Sequence, residues 1–201
     1  MRLWIALHLS QLPLEVFCPR WSADHCTAVL EQERVVALSD AAYEAGVRIG
    51  LRRGGAIMLA PHTQFQQRSL SLEAEALQAT AMALLQFTPQ LAEAEEATLL
   101  LDVGASLRLF GGIRALCRKV ADSVQALGFT GTLSCAPTAR GAWLLARSNA
   151  GRSLKMDSLE RRLDGLPVGL QIVAPRFEEP LILSVAKLVQ QANPIGWPPY
   201  S

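Results

Sequence analysis

The sequence predicts an α/β (α+β) fold in which helices cover a mixed sheet. The first observation is an apolar run from Leu3 to Leu9, which is typical of a buried strand. The second is a strand, a helix and a strand in succession over residues 98–135, which predicts a βαβ unit. The third is the helix inside that unit, whose apolar residues recur on one face. Together they indicate a sheet backed by helices.

The first sixty residues predict short elements in quick succession. Pro13 suits the start of a helix, and Gln32-Glu33-Arg34 separates two apolar stretches in the manner of a hairpin. In chain order, the expected elements are a strand over 3–9, a helix over Leu12 to Trp21, a hairpin over Thr27 to Leu38, a short helix capped by Asp40 and ended by Gly46, and a short helix over Gly54 to Ala60 before Pro61.

Longer elements follow. The spacing of apolar residues predicts a helix from about Ser71 to Phe87, closed by Pro89, and another from Gly111 to Leu127, stopped by Gly128. The other expected elements are strands over Thr98 to Val103 and Phe129 to Cys135 and a helix over Thr138 to Arg147. Beyond Leu166-Pro167, prolines punctuate a tail that holds at most one helix, Leu181 to Gln191.

Composition limits the function classes. Of the 201 residues, half are hydrophobic and 18% are charged, which is typical of a globular protein. The net charge is +1 and no basic block occurs, which argues against strong autonomous binding of nucleic acid. The four cysteines form no CxxC pair, and neither a signal segment nor a membrane-length apolar run is found. We therefore expect a soluble cytoplasmic protein with reduced thiols and no membrane association.

Individual chemistry-bearing residues are ambiguous when taken alone. A single histidine in an apolar strand, such as His8, is more often a hydrogen-bonded core residue than a ligand. The cluster Cys18, Asp24-His25-Cys26 matches no standard zinc spacing. Gly54-Gly55 lacks the pattern of a phosphate loop. Glu93, Glu95 and Glu96 are interpreted as a solvated loop. None of these features identifies an enzyme.

Four segments together resemble a known family. They are MRLWIALHLSQLPLEVF, VVALSDAAYEAGVRIGL, LLLDVGASLRLFGG and LSCAPTARGAWLLAR. They are similar to the N-terminal part of Y-family DNA polymerases, and most similar to the UmuC/ImuB-type subgroup, an accessory of bacterial mutagenesis. The resemblance covers Met1 to about Val168. It implies a Y-family polymerase-like palm over residues 1–168, with a small fingers subdomain inserted at about 17–67.

The resemblance also implies which residues should carry catalysis. Nucleotidyl transfer in this family uses two Mg²⁺ ions held by carboxylates. The first palm strand of active members has an aspartate where this chain has His8, and their two adjacent acidic residues correspond to Ala97 and Thr98. A tyrosine and an arginine that grip the triphosphate correspond to Asp40 and Tyr43. The catalytic and nucleotide-binding positions are therefore expected to be degenerate, with no Mg²⁺ bound.

The resemblance implies a truncated architecture as well. Relatives continue into a thumb and a DNA-gripping little finger, whereas here residues 169–201 resemble a remnant tail that at most begins the little finger. One further motif, Gln11-Leu12-Pro13-Leu14, resembles the core of sliding-clamp-binding peptides. Short matches of this kind have a high false-positive rate.

The expected function is a non-catalytic accessory protein in DNA damage tolerance and translesion synthesis. Its partners would be an error-prone replicative-type DNA polymerase, the sliding clamp or a recombinase-like companion, and its hold on DNA would be weak. One alternative is an active translesion polymerase with Mg²⁺ bound by Asp102 together with Glu95 or Glu96. Another is a truncated remnant without function.

Overall fold

The structure is a computed structural model that describes residues 2–17, 25–149 and 151–163. These residues lie in a compact unit that spans Met1–Asp164. The end of the helix predicted over Leu12 to Trp21, the predicted helix Leu181 to Gln191 and the tail 169–201 lie outside the described residues. None of the helices in the described ranges is long and apolar enough to cross a membrane.

The described ranges contain seven strands and seven helices. The strands are β1 (Trp4–His8), β2 (Thr27–Glu31), β3 (Arg34–Leu38), β4 (Gln64–Gln67), β5 (Leu91–Ala94), β6 (Thr98–Asp102) and β7 (Thr132–Ala136). The helices are α1 (Leu12–Glu15), α2 (Asp40–Glu44), α3 (Arg53–Leu59), α4 (Leu70–Leu84), α5 (Ile113–Ala126), α6 (Ala139–Arg147) and α7 (Met156–Leu163). The α/β (α+β) prediction is confirmed.

A four-stranded sheet in the order β5-β6-β1-β7 forms the centre of the larger part. Strand β1 pairs antiparallel with both β6 and β7, so β6 and β7 run parallel to each other on either side of it. The predicted βαβ unit is thus present, with β1 inserted between its strands. One face of β1, which carries Ile5 and Leu7, is buried in a core shared with α4 and α5. The other face packs Ala6 against α6.

A three-stranded sheet in the order β3-β2-β4 forms a smaller part with its own core. Strands β2 and β3 make the predicted hairpin, turned through Gln32 and Glu33 at positive φ, while β4 pairs parallel with β2. The parallel pairing therefore occurs here, whereas all neighbours in the larger sheet are antiparallel. The buried residues of this core are Ala28, Leu30, Val35, Ala42, Val47, Ala56 and Ala60.

Several local expectations were wrong for identifiable reasons. Ser39 rather than Asp40 caps α2, since its hydroxyl accepts from the Ala42 amide and also from Thr27 across the sheet. Residues 91–94 form the edge strand β5 where a loop was expected. This strand is short and half exposed, so it lacks an apolar alternation. Helix α1 ends at Glu15, shortly before Pro19, whose ring disfavours helical geometry in the preceding residue.

Arg68 connects the two parts at the start of α4. Its guanidinium donates to both carboxylate oxygens of Glu73 at 2.7 and 2.9 Å, and to Glu31 at the end of β2 at 3.2 and 3.3 Å. Its amide also donates to the carbonyl of Leu30. The hydrogen bond to Glu73 raises the pKa of Arg68 above its usual range, against the cost of partial burial. The smaller sheet is thereby held to the helix that backs the larger one.

Two helical glycines provide a matched stability test. A Cβ added at Gly141 in α6 would lie 2.6 Å from Leu159 of α7, whereas one at Gly55 in α3 would meet nothing within 4 Å. Alanine at position 141 should therefore overpack a buried contact and lower stability by about 1–3 kcal/mol. Alanine at position 55 should raise it by about 0.5–1 kcal/mol. Urea unfolding of Gly141→Ala and Gly55→Ala measures both, and equal effects would contradict this account of α7 packing.

Candidate functional site

His8 and Thr98 face each other where β1 ends and β6 begins. His8 Nδ1 lies 2.9 Å from the backbone oxygen of Glu96 and 3.1 Å from Oγ1 of Thr98. Because a carbonyl oxygen only accepts, Nδ1 carries the proton and donates to it. Thr98, which is fully buried, also donates its hydroxyl to the Glu96 carbonyl at 3.1 Å. Both side chains are therefore committed to one backbone oxygen.

The turn between β5 and β6 has an unusual backbone. Glu96 and Ala97 have φ angles of 57° and 47°, in the left-handed region that side chains other than glycine rarely adopt. The Ala97 carbonyl accepts from the Leu9 amide at 3.0 Å, directly after β1. This bond and the two donors on the Glu96 carbonyl stabilise the turn. The structure thus places His8, Ala97 and Thr98 together at this corner, and their assignment as former catalytic positions stays a prediction.

Helix α6 covers this corner with cations and an indole ring. Arg147 Nη2 lies 2.6 Å from a carboxylate oxygen of Glu96, and Trp143 Nε1 donates to the Glu95 carbonyl at 3.3 Å. The guanidinium carbons of Arg147 and Arg140 lie 4.6 and 5.5 Å from the centre of the Trp143 ring, at cation–π distance. The corner therefore carries an arginine whose charge is paired with Glu96.

These side chains do not fit a pair of Mg²⁺ ions. Mg²⁺ prefers carboxylate and other oxygen ligands, whereas the corner offers a protonated imidazole nitrogen, a methyl group and a hydroxyl that donates elsewhere. Within residues 2–17, 25–149 and 151–163, no group of three or more His, Cys, Asp or Glu side chains could hold a metal ion. The donor set itself excludes the two-metal arrangement at this corner.

Asp102 lies too far from this corner to compensate. It pairs with Trp4 at the opposite end of β1 from His8, four residues beyond Thr98. At about 3.3 Å per residue this separation is roughly 13 Å. Its carboxylate accepts from the Gly104 amide at 3.1 Å and lies 3.9 Å from Arg2. Asp102 therefore cannot share one ion with Glu95 or Glu96, as the active-polymerase alternative requires.

A cavity of about 720 Å³ adjoins the same corner. It lies between α6 and strands β5 and β6, and its floor is the half-buried Leu100. Its lining contains both acidic and basic residues. The lining residues are Glu93, Ala94, Glu95, Leu100, Ala139, Arg140 and Trp143. Such a mixed lining suits a zwitterionic or polypeptide surface better than a triphosphate, which two carboxylates would repel.

The second pair of degenerate positions lies on α2 in the smaller part. Asp40 is the first residue of this helix, and the exposed ring of Tyr43 lies one turn later. The guanidinium of Arg48 stacks over the Tyr43 ring, 3.9 Å from its centre, and donates to the Tyr43 carbonyl at 2.6 Å. Arg48 thus supplies a cation near the expected position of the triphosphate, but its hydrogen bonds to Tyr43 and Val47 hold it against its own loop.

The segment that resembles a clamp-binding peptide is part of the core. Gln11 is exposed, but Leu12 is 1% exposed and belongs to the main core, and Leu14 is 8% exposed and packs against Val29. Glu15 follows, buried, and accepts from the amide and hydroxyl of Thr130 at 2.9 and 2.5 Å. Clamp binding through Gln11, Leu12 and Leu14 stays a prediction, and it requires α1 to leave the core.

Sequence reasoning missed the basic and aromatic residues of α6. Arg140, Trp143 and Arg147 recur at intervals of three and four, which places them on one face of a helix that the sequence did predict. That periodicity was a usable signal. The ion pair between Arg147 and Glu96 could not be predicted from the sequence. Glu96 lies in a turn with a left-handed backbone, and no local sequence pattern indicates such a turn.

Replacing His8 tests the hydrogen bonds of the corner. His8→Leu should lower the free energy of unfolding by about 0.5–1.5 kcal/mol, because the Glu96 carbonyl loses a donor. His8→Asn keeps a donor near the same place and should cost less. Denaturant unfolding compares the two variants. Equal stability of His8→Leu and the unchanged chain would contradict the assigned donor role.

Comparison with known proteins places this geometry in a family. The family model described as impB/mucB/samB matches residues 15–147. No curated protein matches the chain.

Solved structures give the same result. The chain resembles an insertion ternary complex of Dbh DNA polymerase with TM-score 0.62 and 17% identity, over 94% of this chain and 58% of that one. DinB from Sulfolobus solfataricus gives a TM-score of 0.59 at 17% identity, over 94% and 57%. A Y-family DNA polymerase chimera of Dbh gives 0.60 at 17%, over 94% and 58%. The chain thus spans less than two thirds of these relatives, and it belongs to the impB/mucB/samB family with a Y-family polymerase-like fold.

Proposed function

We propose that this chain is a non-catalytic Y-family polymerase-like protein of DNA damage tolerance, which acts through protein partners in the cytoplasm. The observation that carries the proposal is the corner where β1 meets β6. The three positions that the resemblance assigns to metal-binding carboxylates hold His8, Ala97 and Thr98, and His8 Nδ1 and the Thr98 hydroxyl both donate to the Glu96 carbonyl. Two-metal nucleotidyl transfer has no ligands there.

Electrostatics support the same conclusion. The cationic Arg147 lies at this corner, paired with Glu96 and stacked near Trp143. Because the Glu96 carboxylate is engaged by this ion pair, it is not free to bind a divalent cation. The net charge of +1 also gives little long-range attraction for DNA phosphates. Any hold on DNA by this chain is therefore expected to be weak, and protein contacts are expected to bring it to the lesion.

Exposed apolar side chains support a protein-binding role. They cluster in the smaller part over residues 43–59, where α2, α3 and the intervening loop expose Tyr43, Ile49, Ile57, Met58 and Leu59. Met58 is 86% exposed and Ile49 is 70% exposed. Exposed apolar groups at this density are typical of surfaces that bind other proteins. The partners we propose are an error-prone replicative-type DNA polymerase, the sliding clamp or a recombinase-like companion.

A primer-extension assay tests the catalytic half of the proposal. With Mg²⁺ or Mn²⁺, the chain and its His8→Asp variant should both give no template-dependent incorporation, because one carboxylate does not restore the set missing at Ala97 and Thr98. An active Y-family polymerase run in parallel is the control. Incorporation by the unchanged chain that Asp102→Ala abolishes would overturn the proposal in favour of an active polymerase.

A binding assay tests the partner half. Met58→Glu places a charge on the exposed apolar cluster and should weaken capture of the cognate error-prone polymerase or sliding clamp at least tenfold. Met82→Glu is the matched control, since Met82 is also exposed but lies on α4. Both variants should fold normally. If neither partner binds the unchanged chain, a functionless remnant is favoured instead.

A further inference from the structure

Two buried cysteines meet behind the larger sheet, on the side away from the degenerate corner. Cys117 lies on α5 and Cys135 on β7, and their sulfur atoms are 3.4 Å apart. Both are free thiols, and both belong to the core shared by the sheet and α5. A disulfide bond is about 2.05 Å long, so the sulfurs need to approach by roughly 1.4 Å.

Cys117 also lines a cavity that opens toward solvent. The cavity has a volume of about 350 Å³, and its other lining residues are Arg114, Arg118, Leu133 and Arg152. Arg114 and Arg118 flank Cys117 on α5, and Arg152 approaches from the segment before α7. None of the three arginines has an acidic partner among the described residues. A small polar molecule that enters here meets one thiol surrounded by three guanidinium groups.

The two thiols differ in acidity. The hydrogen bond from Cys135 lowers the pKa of Cys117, and the nearby charge of Arg152 acts in the same direction against the cost of burial. The pKa of Cys135 is raised, first because its proton is shared with Cys117 and then because it is buried. Cys117 is therefore the more acidic thiol of the pair. Low-pKa cysteines in electropositive, partly accessible surroundings are the reactive ones.

We propose that Cys117 and Cys135 form a peroxide-reactive dithiol, in which Cys117 is oxidised through the cavity and Cys135 converts the product into an intramolecular disulfide. The oxidant is hydrogen peroxide or a small hydroperoxide. This site is separate from the degenerate corner and does not depend on the proposed function.

The chemistry balances in two steps. The Cys117 thiolate attacks one oxygen of hydrogen peroxide, the O–O bond breaks, and the sulfur becomes a sulfenic acid while hydroxide leaves. The three arginines stabilise that departing anion. The hydroxide takes the proton of Cys135 and becomes water, the Cys135 sulfur then attacks the sulfenic sulfur, and the S–O bond breaks with release of a second hydroxide. That hydroxide takes up the proton that Cys117 released to solvent when it ionised. In total, two thiols and one peroxide give one disulfide and two waters.

The disulfide would join α5 to the edge strand β7. Strand β7 pairs with β1 along its whole length, including Thr132 opposite His8. Oxidation would therefore fix one edge of the sheet to the helix behind it and protect this region from local unfolding. The reduced pair leaves β7 held only by its hydrogen bonds to β1 and by packing.

The test uses the full chain with Cys18→Ser and Cys26→Ser, which leaves only the proposed pair. After treatment with hydrogen peroxide, alkylation and mass spectrometry should find one intramolecular disulfide between Cys117 and Cys135, formed at least tenfold faster than in free cysteine at the same pH. The same chain in denaturant should react no faster than free cysteine. Equal rates in the folded and denatured chain would overturn the proposal.

Two further variants separate the roles. Adding Cys135→Ser, or Cys135→Ala if the hydroxyl disturbs the core, should trap a sulfenic acid at Cys117 that dimedone labels. Arg152→Gln should slow oxidation severalfold and move the midpoint of its pH dependence upward, because the thiolate loses a nearby cation. Arg161→Gln, on the exposed part of α7, is the control and should change neither. Dimedone labelling absent from both Cys135 variants, or an unchanged pH midpoint in Arg152→Gln, would contradict the assignment.

Discussion

The position of β1 between two antiparallel neighbours is the constraint on which the larger part depends. Each residue of β1 is paired on both sides, so its register fixes β6 and β7 at once. Both faces are also covered, by the core around Ile5 and Leu7 on one side and by α6 over Ala6 on the other. A slip of one residue would exchange these faces. The same register sets His8 opposite Thr98 and Asp102 at the far end.

This register also explains how the corner between β1 and β6 is held together. The Glu96 carbonyl accepts from both His8 and Thr98, and Arg147 binds the Glu96 side chain. The side chains of His8, Thr98 and Arg147 therefore hold the left-handed turn between β5 and β6. In a site that bound Mg²⁺, carboxylates at these positions would repel one another until the ion was bound. Here the corner is neutralised internally and needs no ion.

The sequence predicted most of this fold because its signals are local. Strands β1, β6 and β7 and helices α4, α5 and α6 follow from apolar periodicity and from glycine or proline at their ends. Strands β4 and β5 were not predicted. Each has only four residues, which are mostly exposed, so neither shows the alternation of apolar and polar residues that indicates a strand. At the site, His8, Ala97 and Thr98 were found through resemblance, but Arg48 and Arg147 were not. Arg48 contacts Tyr43 because the loop after α2 turns back on the helix. Arg147 contacts Glu96 only through the tertiary fold.

The two faces of the larger sheet differ in the side chains that they present. The face under α6 presents an indole between two guanidinium groups. The opposite face holds the main core and, at its margin, a thiol pair beside three arginines without acidic partners in the described chain. The three arginines are exposed side chains, so their position beside the thiol costs them little hydration. The charge of Arg152 favours the thiolate form of Cys117, which is the form that reacts with a peroxide.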